Sequence, residues 1–140
     1  MTAPVILHAT TVAFEGRGIL LIGASGSGKS SLALRLMGIG AALVADDQTI
    51  LTLHGTDVIA TCPSAIAGMI EARGVGLLNA PHLVQATLSL VVDLDRVETD
   101  RLPDHRQITI MRQRLSLVLS NNSAHFPSSI KHYVLFGRRG

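Results

Sequence analysis

Apolar residues fall in short blocks cut apart by glycines and charged pairs, and the lengths of those blocks predict the elements. Ile19–Ile22 is an apolar run long enough for a buried strand. Leu32, Leu34, Leu36 and Met37 then open a helix predicted from about Lys29 to Ile39, with Gly38 and Gly40 as helix-end residues. Upstream, Val5–His8 and Val12–Phe14 predict a short β-hairpin or bent strand pair, broken by Glu15-Gly16-Arg17-Gly18. Ala41–Ala45 is the next strand, and it ends in Asp46-Asp47. Thr49–Leu53 and Asp57–Thr61 read as a hairpin through His54-Gly55-Thr56. Ala65–Met69 is one helical turn or a loop, and Val75–Leu78 is a short strand after Glu71-Ala72-Arg73-Gly74. Leu88–Asp93 is a strongly apolar strand, followed by a charged, turn-rich segment from Asp95 to Arg106. Ile108–Met111 and Leu115–Leu119 are two more strands. Pro127–Phe136 reads as a terminal helix, with Pro127 suited to a first turn and Gly137 to a C-cap. Strands outnumber helices, so the expected fold is α/β with a mixed, largely antiparallel sheet, not regular β-α-β alternation.

Composition narrows this picture. A chain of 140 residues without repeat or linker reads as one domain, 1–140. Its 47% hydrophobic and 16% charged content gives a compact core and argues against disorder. A net charge of +2, without a dense basic run or aromatic interleaving, gives no reason to expect a nucleic-acid partner. Arg138-Arg139 reads as a solvated end. Cys62 is the sole cysteine, so no internal disulfide forms; it reads as a packing residue in a reducing compartment. Met1-Thr2-Ala3-Pro4 lacks the basic start of a signal peptide, and no apolar stretch approaches the ~20 residues of a membrane span. The expectation is a soluble, cytoplasmic protein with no membrane partner.

The candidate chemistry begins at Gly23-Ala24-Ser25-Gly26-Ser27-Gly28-Lys29-Ser30, a complete Gly-x-x-x-x-Gly-Lys-Ser between a strand and a helix. Its glycines let successive N–H groups turn inward toward phosphate oxygens, and the helix N-terminus adds its dipole. Lys29 would reach the terminal phosphates and Ser30 would ligate Mg²⁺, while Ser31 completes the nucleotide-binding set. The cofactors expected are ATP and Mg²⁺. Phosphoryl transfer also needs metal ligands and a proton acceptor. Asp46-Asp47 ends a predicted strand, where open α/β sheets place ligands. Two adjacent carboxylates cannot both face the core, so at least one should reach the crevice; the other reading is a turn-forming pair before Gln48. Asp93 or Asp95 ends the apolar strand as a Walker B carboxylate would, and as many strands simply end. Glu71, in a Gly-rich loop, is placed to bring a carboxylate to a metal and Arg73 to a phosphate, or to form a surface turn. His8, among Val5, Ile6 and Leu7, reads by pattern as a core or edge residue. His54, His82, His105, His125 and His132 show no metal-ligand spacing, so no zinc site is expected.

Four segments in order resemble the catalytic domain of HPr kinase/phosphorylase, the bacterial serine kinase of the phosphocarrier protein HPr. They are His8, Gly23–Ser30, Leu43-Val44-Ala45-Asp46-Asp47, and Gly68-Met69-Ile70-Glu71-Ala72-Arg73-Gly74-Val75-Gly76-Leu77-Leu78. The likeness covers residues 5–80 and fades after about residue 95. It implies the P-loop variant shared with phosphoenolpyruvate carboxykinases. It implies Asp46 as the general base for the HPr serine, supported by Asp47 and His8, with Lys29 at the transferred phosphate. Ser30 and Glu71 would hold the metal, and Asp93 becomes a strand end. The reverse, phosphorylase reaction would use the same Asp46. The family's long form carries an extra N-terminal domain, and this chain resembles the short form. The family's C-terminal Arg-rich loop contains a glycine that Ile110–Leu115 lacks; Arg112 and Arg114 are the basic residues at that place. Family members assemble as hexamers, so a homo-oligomer is implied. The function implied is an ATP- and Mg²⁺-dependent serine kinase acting on an HPr-type carrier of the phosphotransferase system, in control of carbon metabolism. The alternatives are a nucleotide-sensing regulatory module with little catalysis and a small-molecule kinase. No Arg-rich lid segment supports the last, and the absence of Asn-Lys-x-Asp argues against a GTPase.

Overall fold

The computed structural model describes residues 2–140; Met1, the first residue of the predicted domain and start segment, lies outside the described residues. Strands β1 (Val5–Leu7), β2 (Ala9–Phe14) and β3 (Arg17–Ile22) lead into helix α1 (Lys29–Met37). Then come β4 (Ala42–Ala45), β5 (Thr49–His54), β6 (Asp57–Thr61), a 3₁₀ turn at Ser64–Ile66, β7 (Met69–Ala72) and β8 (Gly76–Asn79). The chain closes with β9 (Gln85–Val97), β10 (Arg106–Ile110), β11 (Gln113–Ser120) and helix α2 (Phe126–Phe136).

The main sheet runs β1-β5-β6-β9-β3-β2-β4, with the β10–β11 hairpin joined to it along β9. It is mixed: β3 and β11 run parallel to β9, and the other pairings are antiparallel. The thirteen-residue β9 is a fork. One edge pairs with β3. Its other edge pairs with β6 at Gln85–Thr87 and with β11 from Leu90 to Val97. The unbroken apolar run of β9 follows from burial on both faces. Leu90 and Val92 join Ile19, Leu21, Leu36 and Ile130 under the helices. Val91 and Leu20 pack on the other side with Leu51, Val58 and Leu117.

Several predicted boundaries move, each for a local reason. β1 and β2 do not pair with each other. β1 pairs with β5, and β2 forms its hairpin with β3. The turn there is Glu15-Gly16, with φ of 51° and 77°, the left-handed pair that a two-residue hairpin favours. That draws Arg17 and Gly18 into β3. α1 stops at Met37, two residues before its predicted end. Glu71 lies on a strand, not in a loop: Gly68, at φ 72°, turns the chain and starts the β7–β8 ribbon at Met69. β9 runs on to Val97 because Ser120 of β11 supplies a partner there.

The β10–β11 turn is Met111-Arg112, again with both φ positive, at 50° and 66°. Ser116 of β11 and Ile19 of β3 both lie opposite Leu90, and Leu119 and Ile22 both lie opposite Asp93. Gln113 therefore sits at the Gly16 end of the sheet, roughly 20 Å of strand from the level of Ile22. Arg112 and Arg114 are at the end of the sheet opposite Gly23–Ser30. α2 buries Phe126, Ile130 and Val134 against the helical side of the core. Arg17 Nη1 donates to the Val134 and Leu135 carbonyls, 3.0 Å each, at the negative end of α2. Among the described residues no helix is long and apolar enough to cross a membrane.

Candidate functional site

The glycine loop joins the end of β3 to the start of α1. Gly23 must be glycine: a Cβ there would sit 2.5 Å from Ser27 Oγ and 3.3 Å from Leu94 Cβ, at φ 153°. Gly28 enters the helix at φ 100°, in left-handed backbone that other residues rarely adopt. The Lys29 ammonium folds back and donates to the carbonyls of Gly23 (2.7 Å) and Ala24 (3.0 Å).

The two adjacent aspartates have different surroundings. Asp46 is buried, with 8% of its surface exposed. Its Oδ1 accepts from Ser30 Oγ at 2.7 Å and Thr10 Oγ1 at 3.0 Å, and its Oδ2 accepts from the Glu71 N–H at 3.1 Å. Asp47 takes a left-handed φ of 68°, which turns its side chain out of the strand pattern. That side chain is 65% exposed, and Oδ1 lies 2.6 Å from His8 Nε2. An ionised carboxylate only accepts, so Nε2 carries the shared proton. The Asp47 N–H donates to Thr10 Oγ1, so one buried threonine hydroxyl fixes both aspartates.

These groups surround a cavity of about 320 Å³. Its floor is Ser25, Gly26, Gly28, Lys29, Ser30 and Ser31. His8 and Asp47 form one wall, and Glu71 and Arg73, from the β7–β8 ribbon, form the other. Lys29 and Arg73 make the cavity attractive to anions, while Ser30, Asp47 and Glu71 offer hard oxygen ligands of the kind that suit Mg²⁺. Because Ser30 Oγ gives its proton to Asp46, its lone pairs remain for a cation. Among the described residues no group of three or more His, Cys, Asp or Glu is clustered as a metal site.

Sequence reasoning placed nearly all of these residues together. Gly23, Ala24 and Ser27 form the back of the loop, and Asp46 lies behind the cavity, hydrogen-bonded to Ser30. Arg112 and Arg114 are not brought to it. Asp93 does not line it either; its Oδ1 accepts the Asp95 N–H at 2.9 Å. Thr10 was missed because it falls between the two predicted strands, Val5–His8 and Val12–Phe14, whereas it lies within β2. Burial pushes the Cys62 thiol up, and the Asp46 carboxylate adds to the shift, so this thiol stays protonated.

A family model described as "HPr Serine kinase C-terminal domain" matches residues 1–118. The chain is 38% identical over 105 residues to an HPr kinase/phosphorylase of Xylella fastidiosa (strain M12), covering 69% of this chain and 33% of that protein. Over 107 residues it is 38% identical to the HPr kinase/phosphorylase of Stenotrophomonas maltophilia (strain K279a), covering 71% and 34%. The matched stretch thus spans about a third of these relatives' length. The fold is similar to the solved structure of the HPr(Ser) kinase/phosphatase from Coxiella burnetii, with a TM-score of 0.77 at 23% identity. That similarity covers 93% of this chain and 88% of the other.

Proposed function

The chain belongs to the HPr serine kinase C-terminal domain family, and from that premise we propose that it transfers the γ-phosphoryl group of ATP, with Mg²⁺, to a serine of an HPr-type carrier protein. The observation that carries this is the cavity itself, where Lys29 and Ser30 face Asp47 and His8. In this reading the glycine loop cradles the β- and γ-phosphates, as in the P-loop variant shared with phosphoenolpyruvate carboxykinases. Lys29 leaves its two carbonyl partners and neutralises charge on the transferred group. Ser30 and Glu71 would hold Mg²⁺, and the bound ion would supply charge compensation for the triphosphate.

The proton acceptor in this proposal is Asp47, in place of Asp46. A general base needs a free lone pair within reach of the proton it takes. Both Asp46 oxygens are engaged by donors beneath the loop, whereas Asp47 faces the cavity and has His8 behind it. The acceptor serine gives its proton to Asp47 as its oxygen bonds to the γ-phosphorus. The bond to the β–γ bridging oxygen breaks, and ADP leaves. Asp46 orients the Ser30 hydroxyl and holds Glu71.

The same reading has residues 1–140 acting as one kinase unit, in the bacterial cytoplasm, as a homo-oligomer. The test is incubation of the pure protein with γ-labelled ATP, Mg²⁺ and HPr-type carriers. Label on a carrier serine is expected; label on a histidine would overturn the reading. A second reading, a nucleotide-sensing module, is favoured by one observation: the Arg112 turn lies far from the loop. It predicts ATP binding with no label moved to any carrier.

A further inference from the structure

The last residues of β9 form a seat for the glycine loop. Ile22 pairs with Asp93, so the loop leaves β3 where β9 runs on toward Val97. Leu94 packs against Gly23, its Cβ 3.3 Å from where a Cβ on Gly23 would sit. Asp95 accepts the Ala24 N–H with both carboxylate oxygens, at 3.0 and 3.1 Å. Its own N–H donates to Asp93 Oδ1 at 2.9 Å. The next links run into the cavity floor. The Ala24 carbonyl accepts the Ser27 N–H at 3.0 Å and the Lys29 ammonium at 3.0 Å. The Lys29 ammonium also takes the Gly23 carbonyl at 2.7 Å, so the Gly23–Ala24 peptide group is gripped by a carboxylate at its N–H and by the loop's own lysine at its C=O. Asp95 itself lies outside the cavity, as does Ala24.

We propose that Asp95 is a positioning residue for the glycine loop, holding Ala24 so that the Ser27 turn and the Lys29 ammonium are pre-set for a triphosphate. This rests on the nucleotide reading above. A carboxylate gripping a backbone N–H is a charge-assisted bond, stronger than the neutral equivalent. It acts on the loop's first limb, which neither the helix dipole nor the β3–β9 ladder reaches.

The test uses Asp95→Ala and Asp95→Asn in the full chain. In the ligand-free protein, the Ala24 and Ser27 amides should exchange with solvent about tenfold faster in Asp95→Ala, while those of Val91 and Val92 and the melting midpoint stay unchanged. The dissociation constant for Mg-ATP should rise about tenfold. Asp95→Asn keeps a carbonyl acceptor and should recover most of both effects. Unchanged exchange at Ala24 and Ser27 in Asp95→Ala overturns the tether. Faster exchange with wild-type affinity overturns the positioning role. A wild-type protein that binds no Mg-ATP overturns the nucleotide reading instead, and the exchange result still decides the tether.

Discussion

The two walls of the cavity are built on different terms. The wall of His8 and Asp47, with the glycine-loop floor beside it, grows out of the buried sheet. Ala9, Thr10, Thr11 and Val12 of β2 are completely buried, as are Ile19–Leu21 of β3. The facing wall, with Glu71 and Arg73, is a two-stranded ribbon outside the main sheet. The ribbon is held by buried Ile70, by the Ala80 N–H donating to the Gly68 carbonyl at 2.9 Å, and by the Glu71 N–H on Asp46. Its outer residues Val75 and Leu77 are exposed. The glycine-loop side is thus part of the main sheet, and the opposite side is anchored to the core through Ile70 and a few polar ties. Asp46 joins them, since one carboxylate holds both Ser30 and Glu71.

The contrast can be broken from its rigid side first. Lys29→Ala should lower label transfer to the carrier about a thousandfold, because the charge facing the transferred group is gone. Asp47→Asn should cost about a hundredfold or more in transfer with Mg-ATP affinity unchanged. Asp46→Asn should act through the ribbon instead. Its amide N–H₂ would face either the Glu71 N–H or a hydroxyl donor, leaving one group unpaired and costing about 1–3 kcal/mol in urea unfolding. Amides of residues 69–79 should then exchange faster. If Asp46→Asn matches Asp47→Asn in rate while the ribbon stays protected, Asp46 is the base after all.

The smallest effect lies at the loop after β9. Arg106 grips Glu98 with two N–H groups at 3.0 Å each. This bond holds the Glu98 carboxyl below its ordinary value of 4.5, against a weaker opposite push from burial. A lowered folded-state value means the pair stabilises fully above pH 4.5 and loses that contribution as pH falls below it. Glu98→Gln should flatten the acid limb of the melting curve and leave neutral pH nearly untouched.

How much of this was legible in the chain depends on how local the cause is. The glycine loop was legible because its chemistry sits in eight consecutive residues. The mixed sheet was legible from strand-length runs outnumbering helical ones. The Asp46-Asp47 pair was legible as a pair, but not which of the two is buried and which is exposed. That depends on a positive φ at Asp47 and on Thr10, 36 residues from Asp46. Glu71 was assigned to a loop because Gly68, Gly74 and Gly76 read as loop residues. All three take positive φ, at the start and turn of a ribbon. The position of the Arg112 turn was not legible, because it is set by the parallel pairing of β11 with β9, which no local pattern announces.

The fork at β9 also has a consequence in time. Its partners are β3, β6 and β11, from Arg17 at one extreme to Ser120 at the other. Two of those pairings are parallel and cannot close through a tight turn. Loop-closure entropy is therefore spent before the central strand gains its partners, which favours refolding in milliseconds to seconds over microseconds. Until β11 docks, the apolar edge from Leu90 to Val92 is open to pairing with any other strand. Dilution should therefore raise the refolding yield more than it changes the refolding rate.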